Sequence, residues 1–63
     1  MKTKNIRNGS LYINDNRGRI ERVRGKVNSA SVLTTVHGGD LSVVPAKNLS
    51  LASVEQCNSY LGL

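Results

Sequence analysis

The stretch that decides the fold is GRIERVRGKV (residues 18–27), which combines the densest positive charge of the chain with enough apolar residues for a long strand. Strict alternation places Ile20 on the same face as the basic residues and away from the two valines. One extra residue near Glu21–Arg22, a β-bulge, brings Ile20 and both valines to a common core and increases the twist of the strand. Gly25 fits such a bent strand, because a glycine inside a strand often marks a bend.

The basic side chains of this stretch form a stripe on the solvent side of the strand. They are Arg19, Arg22, Arg24 and Lys26. Two interpretations stay open for this stripe. It is either a surface that binds a polyanion or a solvated strand face that protects the sheet from edge-to-edge aggregation.

The net charge of +5 is concentrated in the first part of the chain. Residues 1–27 carry eight Lys or Arg against Asp15 and Glu21, whereas residues 28–63 carry one lysine against two acidic residues. Such asymmetry indicates a polyanion-facing half, and nucleic acid is the commonest intracellular polyanion. Aromatic content is only 3%, from Tyr12 and Tyr60. One copy therefore lacks the rings for a base-stacking platform of several aromatics.

The length of 63 residues predicts one domain with a core near the lower limit of self-sufficiency. Cys57 is the only cysteine, which excludes an internal disulfide, and one cysteine with one histidine cannot form a structural zinc site. Oligomerisation is the remaining common way to stabilise so small a chain, so we expect a homo-oligomer without metal or cofactor. The lone cysteine and the lack of a signal-peptide pattern predict a reducing, cytoplasmic setting, and no apolar run approaches a membrane span.

The pattern divides the chain into a basic N-terminal arm or irregular lead-in (1–8), a small β-barrel (9–52) and a short C-terminal helix (53–63). Five short strands are predicted, near residues 10–13, 18–27, 31–36, 41–44 and 49–51. Turn signals separate them at Asn14–Gly18, Asn28–Ala30 and His37–Asp40, and a single 3₁₀ turn is expected at Pro45–Asn48. In the tail, Ser53 and Gln56 match a capping box, and Gly62 is placed to end the helix.

The first strand has one aromatic residue between two aliphatic ones. Alternation directs Leu11 and Ile13 into the core and Tyr12 to the opposite face. Tyr12 is then a candidate for stacking on a base or, alternatively, a ring that covers the mouth of the barrel.

This layout of strands, turns and a 3₁₀ turn resembles the small Src homology 3-like barrels, the group that contains KOW, Tudor and Sm-like domains. The resemblance covers about residues 9–52, and its most specific part is VVPAKNL (43–49), where a strand, a proline and a turn lead into a closing leucine. It implies an all-β, five-stranded barrel. Sm-like proteins form rings that bind RNA, which implies a homo-oligomer and favours RNA over DNA. The short, polar chain is also similar to small phage-encoded proteins.

The resemblance has limits at particular residues. Arg24-Gly25 is similar to the Arg-Gly pair of the second Sm motif but lies in the second strand, so its RNA-binding role is not carried over. Sm-like chains usually begin with a helix, whereas here the helical pattern comes last. The aromatic residues that line the groove of peptide-binding Src homology 3 domains are missing, which argues against proline-rich ligands.

No motif indicates catalysis. His37 and Asp40 lie three apart across a glycine-rich turn and suggest a hydrolytic set with Ser42 or Cys57, but nothing in the spacing fixes their geometry. Cys57 lies among apolar residues without the positive charge that a reactive thiolate needs. We therefore expect no enzymatic activity.

Two functional hypotheses remain. The first is a non-enzymatic nucleic-acid-binding barrel that acts as a homo-oligomer. Its candidate contact residues are Arg17, Arg19, Arg22, Arg24, Lys26, Tyr12, Lys4 and Arg7, with Lys2 extending the arm. The second is a structural or adaptor module that assembles through its edge strands and tail helix, with the positive charge serving solubility.

Overall fold

Five antiparallel strands form a single sheet in the computed structural model, which describes residues 1–63. They are β1 (Leu11–Asn14), β2 (Arg19–Lys26), β3 (Ser31–Thr35), β4 (Ser42–Pro45) and β5 (Leu49–Leu51). The order across the sheet is β4-β3-β2-β1-β5, so the chain meanders through four strands and β5 returns beside β1. Strands β4 and β5 are the two edges, and the sheet is not closed by pairing between them. The predicted number of strands and the β-rich class are confirmed.

Three short helices complete the structure. 3₁₀ turns span Thr3–Asn5 and Ala46–Asn48, and the helix α1 spans Val54–Leu61. Ser53 caps α1 through its side chain, which accepts from the Gln56 amide, while the Gln56 side chain accepts from the Ser53 amide. Gly62 ends the helix in the left-handed region at φ 78°, which glycine adopts without a Cβ penalty. The predicted 3₁₀ turn before β5 and both ends of the tail helix are confirmed.

One face of the sheet carries the hydrophobic core. Its members come from the N-terminal segment, all five strands and the second 3₁₀ turn, and they are Ile6, Tyr12, Val23, Val32, Val44, Ala46 and Leu49. Ile6 is 2% exposed, so residues 1–8 are an irregular lead-in that packs on the sheet. The Thr3 hydroxyl fixes this segment further by donating to the Ser29 carbonyl at 2.8 Å.

The orientation of β1 is the reverse of the prediction. Tyr12 and Asn14 are buried, whereas Leu11 and Ile13 are only half-buried. Burial of the Tyr12 ring is favourable because the hydroxyl at its polar end still has a partner. It accepts the Arg7 backbone N–H at 2.9 Å.

The bulge in β2 lies farther along the strand than predicted. Val23 pairs with Thr34 and Gly25 pairs with Leu33, which leaves Arg24 as the extra residue. Strict alternation therefore holds before it, so that Glu21 and Val23 point inward and Ile20 is half-buried on the other face. Val27 lies beyond the strand and is 48% exposed. The common core predicted for Ile20, Val23 and Val27 is wrong, since only Val23 belongs to it.

Candidate nucleic-acid interface

Most of the positive charge in this protein has no carboxylate partner. Only Glu21 forms ion pairs, and its partners are Arg17 and Arg19. Seven of the nine basic residues are therefore free of ion pairs. They are Lys2, Lys4, Arg7, Arg22, Arg24, Lys26 and Lys47.

Glu21 is the centre of a buried polar network beneath β1, β2 and β3. Its carboxylate accepts from Asn14 Nδ2 at 3.2 Å, from Thr34 Oγ1 at 2.7 Å and from Arg19 Nε at 2.7 Å. An Arg17 guanidinium nitrogen lies 3.7 Å from the same group. Burial alone raises the pKa of Glu21, but these hydrogen bonds and the charge of Arg19 outweigh it and hold the pKa below its ordinary value. Arg17 and Arg19 are thus the two basic residues that lie beside a carboxylate, and Arg19 makes the closer contact.

The opposite face of the sheet places Arg22 beside the tail helix. Arg22 pairs across the sheet with Leu11 and Thr35, and its guanidinium donates to the Gly9 carbonyl. The same guanidinium lies 5.9 Å from the centre of the Tyr60 ring, within cation–π range. These two contacts fix its direction.

Tyr60 also holds the turn between β3 and β4. The rings of His37 and Tyr60 are stacked, with centroids 4.2 Å apart and planes inclined by 8°. The Tyr60 hydroxyl accepts the His37 backbone N–H at 2.6 Å. His37 has φ 51°, a left-handed conformation that is uncommon outside glycine and is maintained here by these contacts.

These residues line an open surface pocket of about 360 Å³, which we call the arginine pocket and define by Arg22, Arg24, His37 and Tyr60. Arg24 reaches it from the bulge of β2, with no hydrogen bond or ion pair of its own. No acidic residue lines the pocket. It therefore offers two guanidinium groups and a stacked aromatic pair to a ligand.

A second basic site lies where the N-terminal segment meets the turn between β2 and β3. This groove has a volume of about 680 Å³, and we call it the lysine groove after Lys2, Lys4 and Lys47. Met1, Ala30, Pro45 and Ala46 supply apolar lining, and again no acidic residue contributes. Its three lysines come from two parts of the chain that the packing of residues 1–8 brings together.

The structure divides the predicted contact residues among different surroundings. Arg22 and Arg24 meet in the arginine pocket, Lys4 lies in the lysine groove, and Lys26 is exposed at the end of β2. Arg7 is exposed outside both sites, and Arg17 and Arg19 bind Glu21. The Tyr12 ring, 5% exposed, is not available to a base.

The sequence reasoning missed Tyr60, His37 and Lys47 as site residues. A signal existed for Tyr60, because it is one of two aromatic residues and lies on the side of the tail helix that must pack on the sheet. Its partner His37 and the position of Lys47 depend on long-range packing and carry no local signal.

The four residues considered for hydrolysis have separate partners in the structure. His37 is stacked on Tyr60, Ser42 accepts weakly from Arg17 at 3.5 Å, and Cys57 is half-buried on α1. None of their side chains hydrogen-bonds to another, and Asp40 forms no ion pair.

The chain matches no protein-family model, no curated protein and no solved structure. None of its helices combines the length and apolar character needed to cross a membrane. Its function is therefore inferred from its own residues.

Proposed function

We propose that this protein is a non-enzymatic nucleic-acid-binding module that prefers RNA to DNA and makes its central contact in the arginine pocket. The observation that carries the proposal is the juxtaposition of Arg22 and Arg24, neither paired with a carboxylate, with the stacked rings of His37 and Tyr60.

The chemistry of the arginine pocket suits a nucleotide. Guanidinium groups bind phosphate through two parallel hydrogen bonds, and aromatic faces stack on bases of any sequence. Arg22 is already oriented by Gly9 and Tyr60, so little side-chain entropy is lost when it binds. A single aromatic pair replaces the platform of several rings that this chain lacks.

The strand order and the 3₁₀ turn before β5 support a finer fold proposal, an Src homology 3-like barrel of the Sm-like kind whose edge strands do not pair. We also propose a homo-oligomer, because several copies multiply both the arginine pockets and the free charge. Light scattering after size-exclusion chromatography and a high-salt wash tests this part, and a monomer would contradict it.

Nucleic-acid binding is tested by fluorescence anisotropy with a labelled oligouridine of about twelve nucleotides and its deoxy equivalent, at several salt concentrations. We expect the RNA to bind more tightly. Tyr60→Ala should weaken binding about 5- to 150-fold, since stacking contributes about 1–3 kcal/mol per base. Tyr60→Phe keeps the ring and should retain most of the affinity.

A comparison of two arginine substitutions separates nucleic-acid contact in the arginine pocket from general electrostatic attraction to the protein. Arg24→Ala removes a guanidinium from the pocket, and Arg7→Ala removes the same charge from a site outside it. Arg24→Ala should lower the slope of log affinity against log salt by about 0.7, the value for one phosphate contact with a single strand. Equal effects of the two substitutions would show that the arginine pocket is not part of the nucleic-acid interface.

A second candidate function is a self-assembling adaptor without nucleic-acid binding. The observation that favours it is the exposure of apolar side chains beside an open edge, with Leu51 on β5 and Val54 on α1 both 77% exposed. Under this function, removal of residues 53–63 abolishes assembly and the intact protein binds no oligonucleotide.

A further inference from the structure

The lysine groove is a basic site of its own, since it shares no lining residue with the arginine pocket. Its three lysines form no ion pair, and no acidic residue lines it. Two hydrogen bonds hold the N-terminal wall of the groove in place. Thr3 donates to the Ser29 carbonyl at 2.8 Å, and the Met1 ammonium donates to the Ala46 carbonyl at 3.1 Å. The groove therefore combines a fixed backbone with unpaired ammonium groups.

The groove and the arginine pocket belong to different faces of the sheet. Ala46 is a member of the core, and Met1 packs against the core. Arg22 lies on the other face, because it alternates along β2 with the buried Glu21 and Val23. A ligand in one site therefore does not need to contact the other site.

The residue types in the groove favour carboxylates and aliphatic side chains. Lysine lacks the fork of donors by which arginine binds a phosphate in two parallel hydrogen bonds, and the groove contains no arginine. It also contains no aromatic ring on which a base could stack. Its apolar lining comes from Met1, Ala30, Pro45 and Ala46. These features suit an acidic peptide with an aliphatic side chain better than they suit an RNA strand.

The groove also adjoins an open strand edge. Pro45 lines the groove and belongs to β4, which is an edge of the sheet. Because the Ala46 amide donates to the Ala30 carbonyl, alternation directs the backbone of Val43 and Pro45 away from β3. Pro45 has no N–H, which leaves the N–H and C=O of Val43 for an added strand. Val43 lies about 7 Å from Pro45 along the strand, so one extended peptide reaches both the edge and the groove.

We propose that the lysine groove binds an acidic peptide segment of a protein partner. The peptide is extended beside β4, pairs with the backbone of Val43, and places an aliphatic side chain against the apolar lining. Its carboxylates lie beside Lys2, Lys4 and Lys47. This surface goes beyond the proposed nucleic-acid contact and does not depend on it, so the protein can hold RNA and the peptide at the same time.

The probe is a fluorescein-labelled peptide of alternating glutamate and leucine, about six residues long, which extends over about 20 Å. The two shorter dimensions of the molecule are 21 and 19 Å, so the peptide spans one side of it. One reference peptide has glutamine in place of every glutamate, and a second has serine in place of every leucine. Fluorescence anisotropy at low salt measures each affinity.

Two variants separate the groove from the net charge of the protein. Lys4→Ala/Lys47→Ala removes two charges from the groove. Arg7→Ala/Asn8→Asp lowers the net charge equally at exposed positions outside both sites. Circular dichroism confirms that each variant is folded.

We expect the glutamate–leucine peptide to bind the wild type more tightly than either reference peptide does. Lys4→Ala/Lys47→Ala should weaken its binding about 2- to 30-fold, the range for the loss of two exposed ion pairs, and by more than the control variant does. The amide chemical shift of Val43 should respond to the peptide, and that of Arg22 should not. Saturating oligouridine should not displace the peptide.

Each other outcome overturns the inference. If no peptide binds, or if the groove variant and its control have equal effects, the groove is not the site. Equal affinity of the glutamate–serine peptide refutes the aliphatic contact, and equal affinity of the glutamine–leucine peptide refutes the charge contact. If Lys4→Ala/Lys47→Ala weakens oligouridine binding and leaves peptide binding unchanged, the groove belongs to the nucleic-acid interface instead. The proposed function fails separately, only if the wild type binds no oligonucleotide.

Discussion

Replacement of Glu21 by glutamine tests whether the buried carboxylate organises the sheet. The wild-type group is 1% exposed and accepts hydrogen bonds from Asn14, Thr34 and Arg19, with Arg17 nearby. Glutamine has nearly the same shape, but its NH₂ group is a donor and must face at least one of these donors. The substitution therefore leaves a buried polar group unsatisfied and removes the charge that balances the arginines.

The magnitude follows from these contacts. Hydrogen bonds to a charged group contribute about 1.5–3 kcal/mol each, and breaking a buried ion pair costs about 3–5 kcal/mol. Arg17 adds little, because its side chain is 41% exposed and its contact is long at 3.7 Å. We expect Glu21→Gln to lower the free energy of unfolding by about 3 kcal/mol. That is a large share of the roughly 3–9 kcal/mol typical of a chain this size.

The assay is urea and thermal unfolding followed by circular dichroism. A loss of about 3 kcal/mol corresponds to a fall in melting temperature of roughly 12–24 °C for so small a domain. Glu55→Gln is the control, because Glu55 is exposed on the first turn of α1 and should cost less than about 1 kcal/mol. A change below about 0.5 kcal/mol for Glu21→Gln would refute the reasoning.

The same variant predicts a pH dependence. Because the pKa of Glu21 is lower in the folded protein than its unfolded value of about 4.3, its ionised form stabilises the fold above that value. This stability is lost as the pH falls through the folded pKa. The wild type should therefore lose more stability than Glu21→Gln as the pH falls from about 5.

Three further substitutions test local features of the fold. Gly62→Ala should lower the free energy of unfolding by about 1 kcal/mol and weaken the helical circular dichroism signal. The cause is backbone strain alone, because φ is 78° at this position while the space around an added Cβ is open. Tyr12→Phe removes the acceptor of the Arg7 amide and should lower the unfolding free energy by about 1 kcal/mol; no change in urea unfolding would mean that water replaces the hydroxyl. Val23→Ala should cost about 2 kcal/mol, since Val23 is fully buried, whereas Val43→Ala at a 59% exposed position should be nearly neutral; equal losses would contradict the placement of the core.

The parts of the fold that the sequence predicted well are those fixed by local chemistry. The β-branched run near Val32, the capping box at Ser53 and the left-handed Gly62 each depend on neighbouring residues alone. The position of the bulge and the orientation of β1 depend on the register between strands. A four-residue strand with apolar side chains on both faces, such as Leu11–Asn14, does not identify its buried face by alternation.

The site was predictable to a smaller extent for the same reason. The density of arginines in β2 indicated Arg22 and Arg24, but the ion pairs of Arg17 and Arg19 with Glu21 could not be predicted. They depend on a carboxylate that is held by Asn14 and Thr34, which lie on other strands. In the sequence alone, a glutamate that becomes buried in the folded sheet cannot be distinguished from a glutamate on the surface.

The attachment of α1 to the sheet is thermodynamically coupled to the binding of any ligand beside the helix. The helix has no fully buried residue, and Tyr60 provides its hydrogen bond and ring contacts to the sheet. Docking of the helix is therefore an equilibrium of its own, and the affinity of any ligand that contacts Tyr60 is scaled by the docked fraction. By linkage, the ligand must in turn shift the helix towards its docked position, so occupancy and order at the end of the chain rise together.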